Sequence, residues 1–312
     1  MHPIHRSTGP GRPGTHASGR NTRRTLLGFR CGLSLAFTLS FGLAASAQQD
    51  FAGVVVKSQP VAGAVHMLEG AGGNVGVSAG PDGLLIVDNQ FAPLAERIEK
   101  ALSEIDKGTL KFVLNTHWHG DHTGGNAHFG AKAPVVAHAN VRKRLADKSG
   151  TPASALPVLT YDESMAVHFN GEEIRLIHLG RGHTDGDTVV HFTKSGVAHL
   201  GDLFFNQRFP YVDLGSGGDV EGLLKNIEAI LALLPAETRL IPGHGSVATR
   251  ADLETYRTMI VETVTLVKKA IADGKSVDQV KAAGMPERWK DWGSGFINTS
   301  RWLEISYNSL KK

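Results

Sequence analysis

The 312-residue chain has one cysteine, Cys31, and it lies in the N-terminal segment. Disulfides, iron–sulfur clusters and thiolate-held zinc are therefore excluded from the rest of the chain. Residues 1–47 hold no acidic side chain, only the six arginines Arg6, Arg12, Arg20, Arg23, Arg24 and Arg30. The whole chain has 33 Lys+Arg against 30 Asp+Glu; removing those six leaves 27 against 30, a net charge of −3. A mildly acidic body excludes a nucleic-acid binder that works by bulk charge. Long apolar runs are also missing. The stretch from Cys31 to Leu43 is too short to span roughly 30 Å of hydrocarbon, and Arg30 bounds it. No repeat at solenoid spacing is present. What remains is ordinary globular composition, 41% apolar and 20% charged. The roughly 265 residues that follow can bury a large core, as one big domain or two halves.

The N-terminal segment reads as an export signal. Residues 1–21 have no apolar periodicity and read as disordered. Thr22-Arg23-Arg24-Thr25-Leu26-Leu27-Gly28 then resembles the twin-arginine export motif, departing from it at Leu26 and Gly28. After the apolar run, Ala45-Ser46-Ala47 supplies a small-x-small cleavage site. The expectation is passage through the twin-arginine machinery, cleavage after Ala47 and a periplasmic chain without a stable membrane anchor. A lipid anchor on Cys31 is disfavoured because Arg30 stands where that signal needs a small residue.

Residues 48–312 then read as a single domain with a C-terminal helical segment over 250–312. Strands are expected at Val54–Val56, Val65–Leu68, Asn74–Val77 and Leu84–Val87, with turns at Gly72-Gly73 and Pro81-Asp82-Gly83. A helix follows with Pro93 in its first turn and Phe91, Leu94, Ile98, Leu102 and Ile105 on one face. Asp219 caps a second apolar stripe, Val220 to Leu234, and Leu253, Tyr256, Ile260, Val264, Val267 and Ile271 form a third. Strands alternating with helices predict an α/β (α+β) fold with helices outside the sheets.

Four polar clusters each follow an apolar run: His117-Trp118-His119-Gly120-Asp121-His122, Gly182-His183-Thr184, Gly201-Asp202 and Gly243-His244-Gly245. Each places a His or Asp on a loop at a strand end, where rigid elements aim side chains at a common point. The flanking glycines let the backbone turn sharply beside an ion. Imidazole and carboxylate without thiolate suit Zn²⁺ or a similar first-row metal. His117 and His119 point the same way in an extended segment, and Gly120 permits a turn that brings Asp121 and His122 to a neighbouring position. Four ligands in six residues exceed what one open catalytic ion needs, so two ions fit better. The other seven histidines of 48–312, among them His128, His138 and His168, read as structural or surface residues.

These residues resemble the metallo-β-lactamase superfamily, marked by its His-x-His-x-Asp-His segment. The resemblance implies a four-layer αββα sandwich with the metals at one edge of two sheets. It implies that His117, His119 and His183 hold one zinc, that Asp121, His122 and His244 hold a second, and that Asp202 bridges them. It further implies a metal-bridged hydroxide as nucleophile, with Asp121 as the catalytic residue that orients it and passes a proton. Asp88 is either a partner carboxylate for a ligand histidine or part of a surface turn. Subclasses with a cysteine on the second zinc are excluded by Asp202. Phe205 departs from the Tyr of acyl-homoserine lactonases, and His119 from the Glu of flavodiiron oxidoreductases. The RNA-clamping insertions of the family's nucleases have no counterpart. The expected activity is hydrolysis of β-lactams or related cyclic amides and esters, a small-molecule substrate and no nucleic acid. The alternatives are a thioester (glyoxalase-II-like) or lactone hydrolase, an iron-dependent sulfur dioxygenase, and a non-catalytic metal-binding protein. Asn206, Arg208 and Tyr211 are candidate substrate contacts, Arg208 through a carboxylate, or else a solvated loop. Trp289, Trp292 and Trp302 are expected to pack a terminal helix rather than line a pocket.

Overall fold

The computed structural model describes residues 50–311, so the expected export signal, its cleavage site and Cys31 lie outside the described residues. Seven strands form one sheet in chain order: β1 (Lys57–Ala62), β2 (Val65–Glu69), β3 (Val75–Gly80), β4 (Gly83–Val87), β5 (Leu110–Leu114), β6 (Val135–His138) and β7 (Leu159–Tyr161). Five more form a second sheet: β8 (Ser164–Phe169), β9 (Glu172–Ile177), β10 (Val189–Phe192), β11 (Val197–Phe205) and β12 (Arg239–His244), ordered β12-β11-β10-β9-β8. β1 to β4 pair antiparallel, as short turns allow, whereas β4 to β7 pair parallel. The parallel steps need crossovers. These are α1 (Ala95–Ile105), the short α2 (Gly120–Thr123) and α3 (Asn126–Phe129), and α4 (Ala139–Asp147). In the second sheet α5 (Val220–Leu233) links the parallel pair β11 and β12.

Strand β4 shows why the layers stack. All five of its residues are buried. With a two-residue period, Leu85 and Val87 face the second sheet and pack with Leu176, Val190 and Ile241. Leu84 and Ile86 face the other way, onto Leu94, Ile98 and Leu102 at α1. The outer face of the second sheet is covered in turn by α5, α6 (Arg250–Ala272) and α8 (Thr299–Leu310), through Leu223, Ile227, Tyr256, Ile260 and Trp302. α7 (Val277–Ala283) packs Val280 against Val267 and Leu303. The result is the expected four-layer αββα arrangement. Each fully buried Leu or Ile contributes about 1.5–3 kcal/mol, and Leu85→Ala would cost about 2–5 kcal/mol with its cavity.

Helix starts follow the sequence. Asp219 caps α5 by accepting from the Gly222 N–H at 2.8 Å, and Thr249 with Asp252 forms a reciprocal capping box on α6. One expectation fails. Val54–Val56 is not a strand; β1 begins at Lys57. The carbonyls of Phe51, Ala52 and Val54 are taken instead by the Arg97 guanidinium on α1, so they are not free for a ladder. Pro60 is tolerated because β1 is an edge strand. Among the described residues, no helix is long and apolar enough to cross a membrane.

Candidate metal centre

The ends of strands from both sheets converge on one set of side chains. The segment after β5 does not run extended as expected: it bends over residues 116–118, His119 alone is in extended backbone, and α2 starts directly behind it. Its helical turn brings Asp121 and His122 round. Gly120 is not what permits this turn: its φ is ordinary and a Cβ there would meet nothing, so any residue could make it. Asp202 and His244 are likewise not on loops, His244 being the last residue of β12. β11 runs on to Phe205, with its register against β12 broken at Gly201. Gly201 has φ +50 and a Cβ there would lie 2.6 Å from Thr116, so this bulge needs glycine. At Gly243 the need is closer still, since a Cβ would fall 2.0 Å from the Asp202 Oδ1.

All seven expected ligands meet, in two groups. His117, His119, His183 and Asp202 form one, and Asp121, His122 and His244 the other, with donor atoms of each group within 4.8 Å. Asp202 faces both: its Oδ2 lies 3.4 Å from His183 Nε2 and 3.8 Å from His117 Nε2. Its Oδ1 lies 3.1 Å from His122 Nε2 and 3.5 Å from His244 Nε2. Asp121 Oδ2 is 3.3 Å from His244 Nε2.

Hydrogen bonds behind the ligands decide which nitrogen faces inward. Asp88 accepts from the His122 Nδ1–H at 2.7 Å, leaving Nε2 for the centre. It also accepts from the Thr116 hydroxyl at 2.6 Å and the Thr116 N–H at 2.8 Å. That hydroxyl in turn lies 3.1 Å from His117 Nδ1, as acceptor of its proton. His183 Nδ1 donates to the Tyr211 carbonyl at 2.6 Å. Asp213 accepts from His119 Nε2–H at 2.9 Å, turning Nδ1 inward, where it lies 2.8 Å from His183 Nε2. Asp88 is thus a ligand partner and not a surface turn: it is fully buried, in left-handed backbone at φ 64. Asp213 and Thr116 escaped the sequence reading. Asp213 stands 94 positions from His119, and its only local signal is a turn in which it accepts from Ser216.

The charges divide along the same line. Burial, reinforced by the neighbouring His122, holds His117 well below the usual imidazole range, and burial takes His183 down to about 4. Burial also opposes charge on His122 and His244, but Asp202 and Asp121 outweigh it, holding His122 well above its ordinary value and His244 up to about 9. Asp202 is kept well below the carboxylate range despite burial, chiefly by His122 and His244. Even so, His117 Nε2, His122 Nε2 and Asp202 Oδ1 are buried with no hydrogen-bond partner. Buried polar atoms are rarely left so, and a cation among them would take the place of the protons that Asp202 and Asp121 favour on His122 and His244. The donor set, nitrogen and oxygen only, fits first-row divalent metals.

None of the other seven histidines of 48–312 joins either ligand group. Asn206 and Arg208 lie outside the groups, on a neighbouring cleft. Tyr211 packs its ring about 6 Å from those of His119 and His183. Trp289 and Trp302 are buried in the helical core as expected, but Trp292 also lines that cleft.

Comparison with known proteins agrees with this geometry. The family described as the Metallo-beta-lactamase superfamily matches residues 69–244. A metallo-beta-lactamase type 2 of Bacteroides fragilis is 26% identical over 175 residues, 53% of this chain and 68% of that protein. A hydroxyacylglutathione hydrolase of Rhodospirillum rubrum is 29% identical over 180 residues, 57% of this chain. The chain spans 62% of that hydrolase's length. Among solved structures, a metallo-beta-lactamase from Pontibacter korlensis superposes with a TM-score of 0.58 at 18% identity, over 66% of this chain and 98% of that one. That likeness supports the fold.

Proposed function

The chain belongs to the metallo-β-lactamase superfamily, and within it we propose an exported, zinc-dependent hydrolase of β-lactams or related cyclic amides and esters. It is a metal-dependent hydrolase by family; the metal's identity and number, the substrate and the compartment are the proposal. The observation that carries it is the pair of ligand groups joined by Asp202, with three buried donor atoms lacking partners. His117, His119 and His183 would hold one zinc, Asp121, His122 and His244 the second, and Asp202 would touch both. Zinc there would acidify water and polarise the scissile carbonyl, which removes the need for a separate oxyanion hole.

The chain's own residues do the rest. Asp88, Asp213 and the Tyr211 carbonyl fix the histidine tautomers before substrate arrives, so no reorganisation is required during reaction. Asp121, a quarter exposed at the open side, would take a proton and return it to the leaving group. The N-terminal arginine pair and Ala45-Ser46-Ala47 support export with cleavage after Ala47.

A second reading, thioester hydrolysis, is favoured by the cysteine-free ligand set and by the hydroxyacylglutathione hydrolases among the relatives. A panel of chromogenic β-lactam, lactone, thioester and phosphodiester on zinc-loaded protein separates the two. β-Lactam opening that chelator abolishes and zinc restores is the expected result. Thioester turnover alone selects the second reading. One bound iron with oxidation of persulfides overturns both.

A further inference from the structure

Beside the ligand groups lies a cleft of about 800 Å³, room for a drug-sized molecule. Two of its walls begin directly behind the centre. One is the loop from Asn206 after β11, the other the turn from Gly245 after β12. Phe205 and His244, the residues just before them, stack their rings at 5.2 Å. The third wall is the C-terminal stretch around Asp291 and the half-buried Trp292, whose ring is stacked on Tyr256.

Four charged side chains line this cleft, and two are already committed. Arg288 pairs with Glu262, and Asp252 closes the capping box of α6. Arg208 and Asp291 have no hydrogen-bond or ion-pair partner for their side chains among the described residues, and they do not pair with each other. Opposite charges kept apart in one cleft remain hydrated and available, so each can meet a complementary group on a ligand. Gln207, next to Arg208, has left-handed backbone at φ 57, a conformation that costs on the order of 1 kcal/mol outside glycine.

We propose that this cleft binds the zwitterionic arm of a peptide-like substrate, with Arg208 taking a carboxylate in a two-pronged pair and Asp291 taking an ammonium. The inference deepens the hydrolase reading, on which it rests only for placing the reacting bond at the adjoining ligand groups.

Binding, rather than turnover, is the test. Titration calorimetry on the zinc-loaded protein would use the tripeptide Ala-Gly-Gly, its C-terminal amide and its N-acetyl form. Each lost charge should weaken binding about fivefold, as expected of a solvent-exposed pair. Arg208→Gln should weaken the free tripeptide equally but leave the amide unchanged. Asp291→Asn should do the same for the N-acetyl form. Unaltered zinc content and unfolding temperature show both variants intact. If the variants bind all three peptides as the parent does, or the parent binds none at millimolar concentration, the proposal is overturned. A protein that hydrolyses nothing in the substrate panel but passes this cycle refutes only the hydrolase reading.

Discussion

The two ligand groups are made of similar side chains but held very differently. In the first, His117, His119 and His183 are each fixed from behind, by Thr116, Asp213 and the Tyr211 carbonyl. In the second only His122 has such a partner, Asp88. Asp121 and His244 lie at the open side, 25% and 21% exposed, facing each other and Asp202. A preorganised half and a looser half imply different tolerances. On the proposed two-zinc reading, the first group would hold its ion against exchange, and the second would leave room for substrate and proton movement at its open edge.

The largest effect should come where the two supports meet. Asp88 accepts from His122 directly and reaches His117 through Thr116. Asp88→Ala leaves buried donors unpaired, for a loss of about 3–5 kcal/mol in chemical denaturation. Both zincs should weaken together. Asp88→Asn tolerates the left-handed backbone and keeps part of the acceptor set, so it should fold well enough for its metal to be counted. Two tightly held zincs in that variant would show that Asp88 supports neither half.

Asp202→Asn comes next, and it should split the halves. The first group keeps three histidines held from behind, while the second keeps only Asp121, His122 and His244. Zinc should fall from about two toward one per chain, with partial activity that rises with added zinc. Unchanged metal content and turnover would mean that Asp202 joins no two ions, and the comparison would lose its hinge.

Asp213→Asn is the mirror experiment. An Asn has one acceptor oxygen where the carboxylate has two, so with that oxygen kept on the Ser216 N–H its NH2 group faces the His119 Nε2–H and cannot accept it. His119 is then free to present the wrong nitrogen. Affinity at the first group should drop roughly 10–100-fold, with stability changed by only about 1 kcal/mol. Equilibrium dialysis against a zinc buffer reads the first and denaturation the second. Loss at the second group instead would reverse the assignment of supports.

What could be read from the sequence follows from how local each feature is. Six consecutive residues carry four candidate ligands, and glycines beside apolar runs mark the other three, so all seven residues that the fold brings together were legible. Sheets with helices outside them followed from apolar runs such as β4 and stripes such as that of α5, whereas the four-layer αββα order came with the family resemblance. Asp213 was not legible, because its bond to His119 joins residues 94 positions apart and neither neighbourhood encodes the other. Val54–Val56 misled because β-branched residues favour strands only where a neighbour offers a ladder, and Arg97 had claimed the carbonyl of Val54 with those of Phe51 and Ala52 just before it. The glycine beside the ligands that looked most useful, Gly120, has open space around it, whereas Gly201 and Gly243 are needed for the close approach of Thr116 and Asp202.

The smallest expected effect probes the ground beneath the first group. His178 lies five residues before His183, and its ring stacks on that of His138 at 4.0 Å with an angle of 27°. Its Nδ1 donates to the Asp187 carbonyl, and His138 accepts from the Asn140 N–H as the cap of α4. Burial lowers the His138 pKa below its ordinary 6.5, and the charge of His178 lowers it further. A depressed imidazole is neutral in the fold at a pH where the unfolded chain has begun to take up a proton. Its contribution is therefore fully present above about pH 6.5 and is lost as pH falls toward the folded value. The unfolding temperature of the zinc-loaded protein should fall more steeply below pH 6.5 than that of His138→Asn, which keeps a cap acceptor but cannot titrate. Because His178 and the Asp187 carbonyl it bonds flank the turn that carries His183, metal at the first group should also loosen earlier on acidification in the parent than in the variant. Parallel pH profiles for the two proteins would show that the stack carries no charge-linked stability, and that the firmness of the first group comes from Thr116, Asp213 and the Tyr211 carbonyl alone.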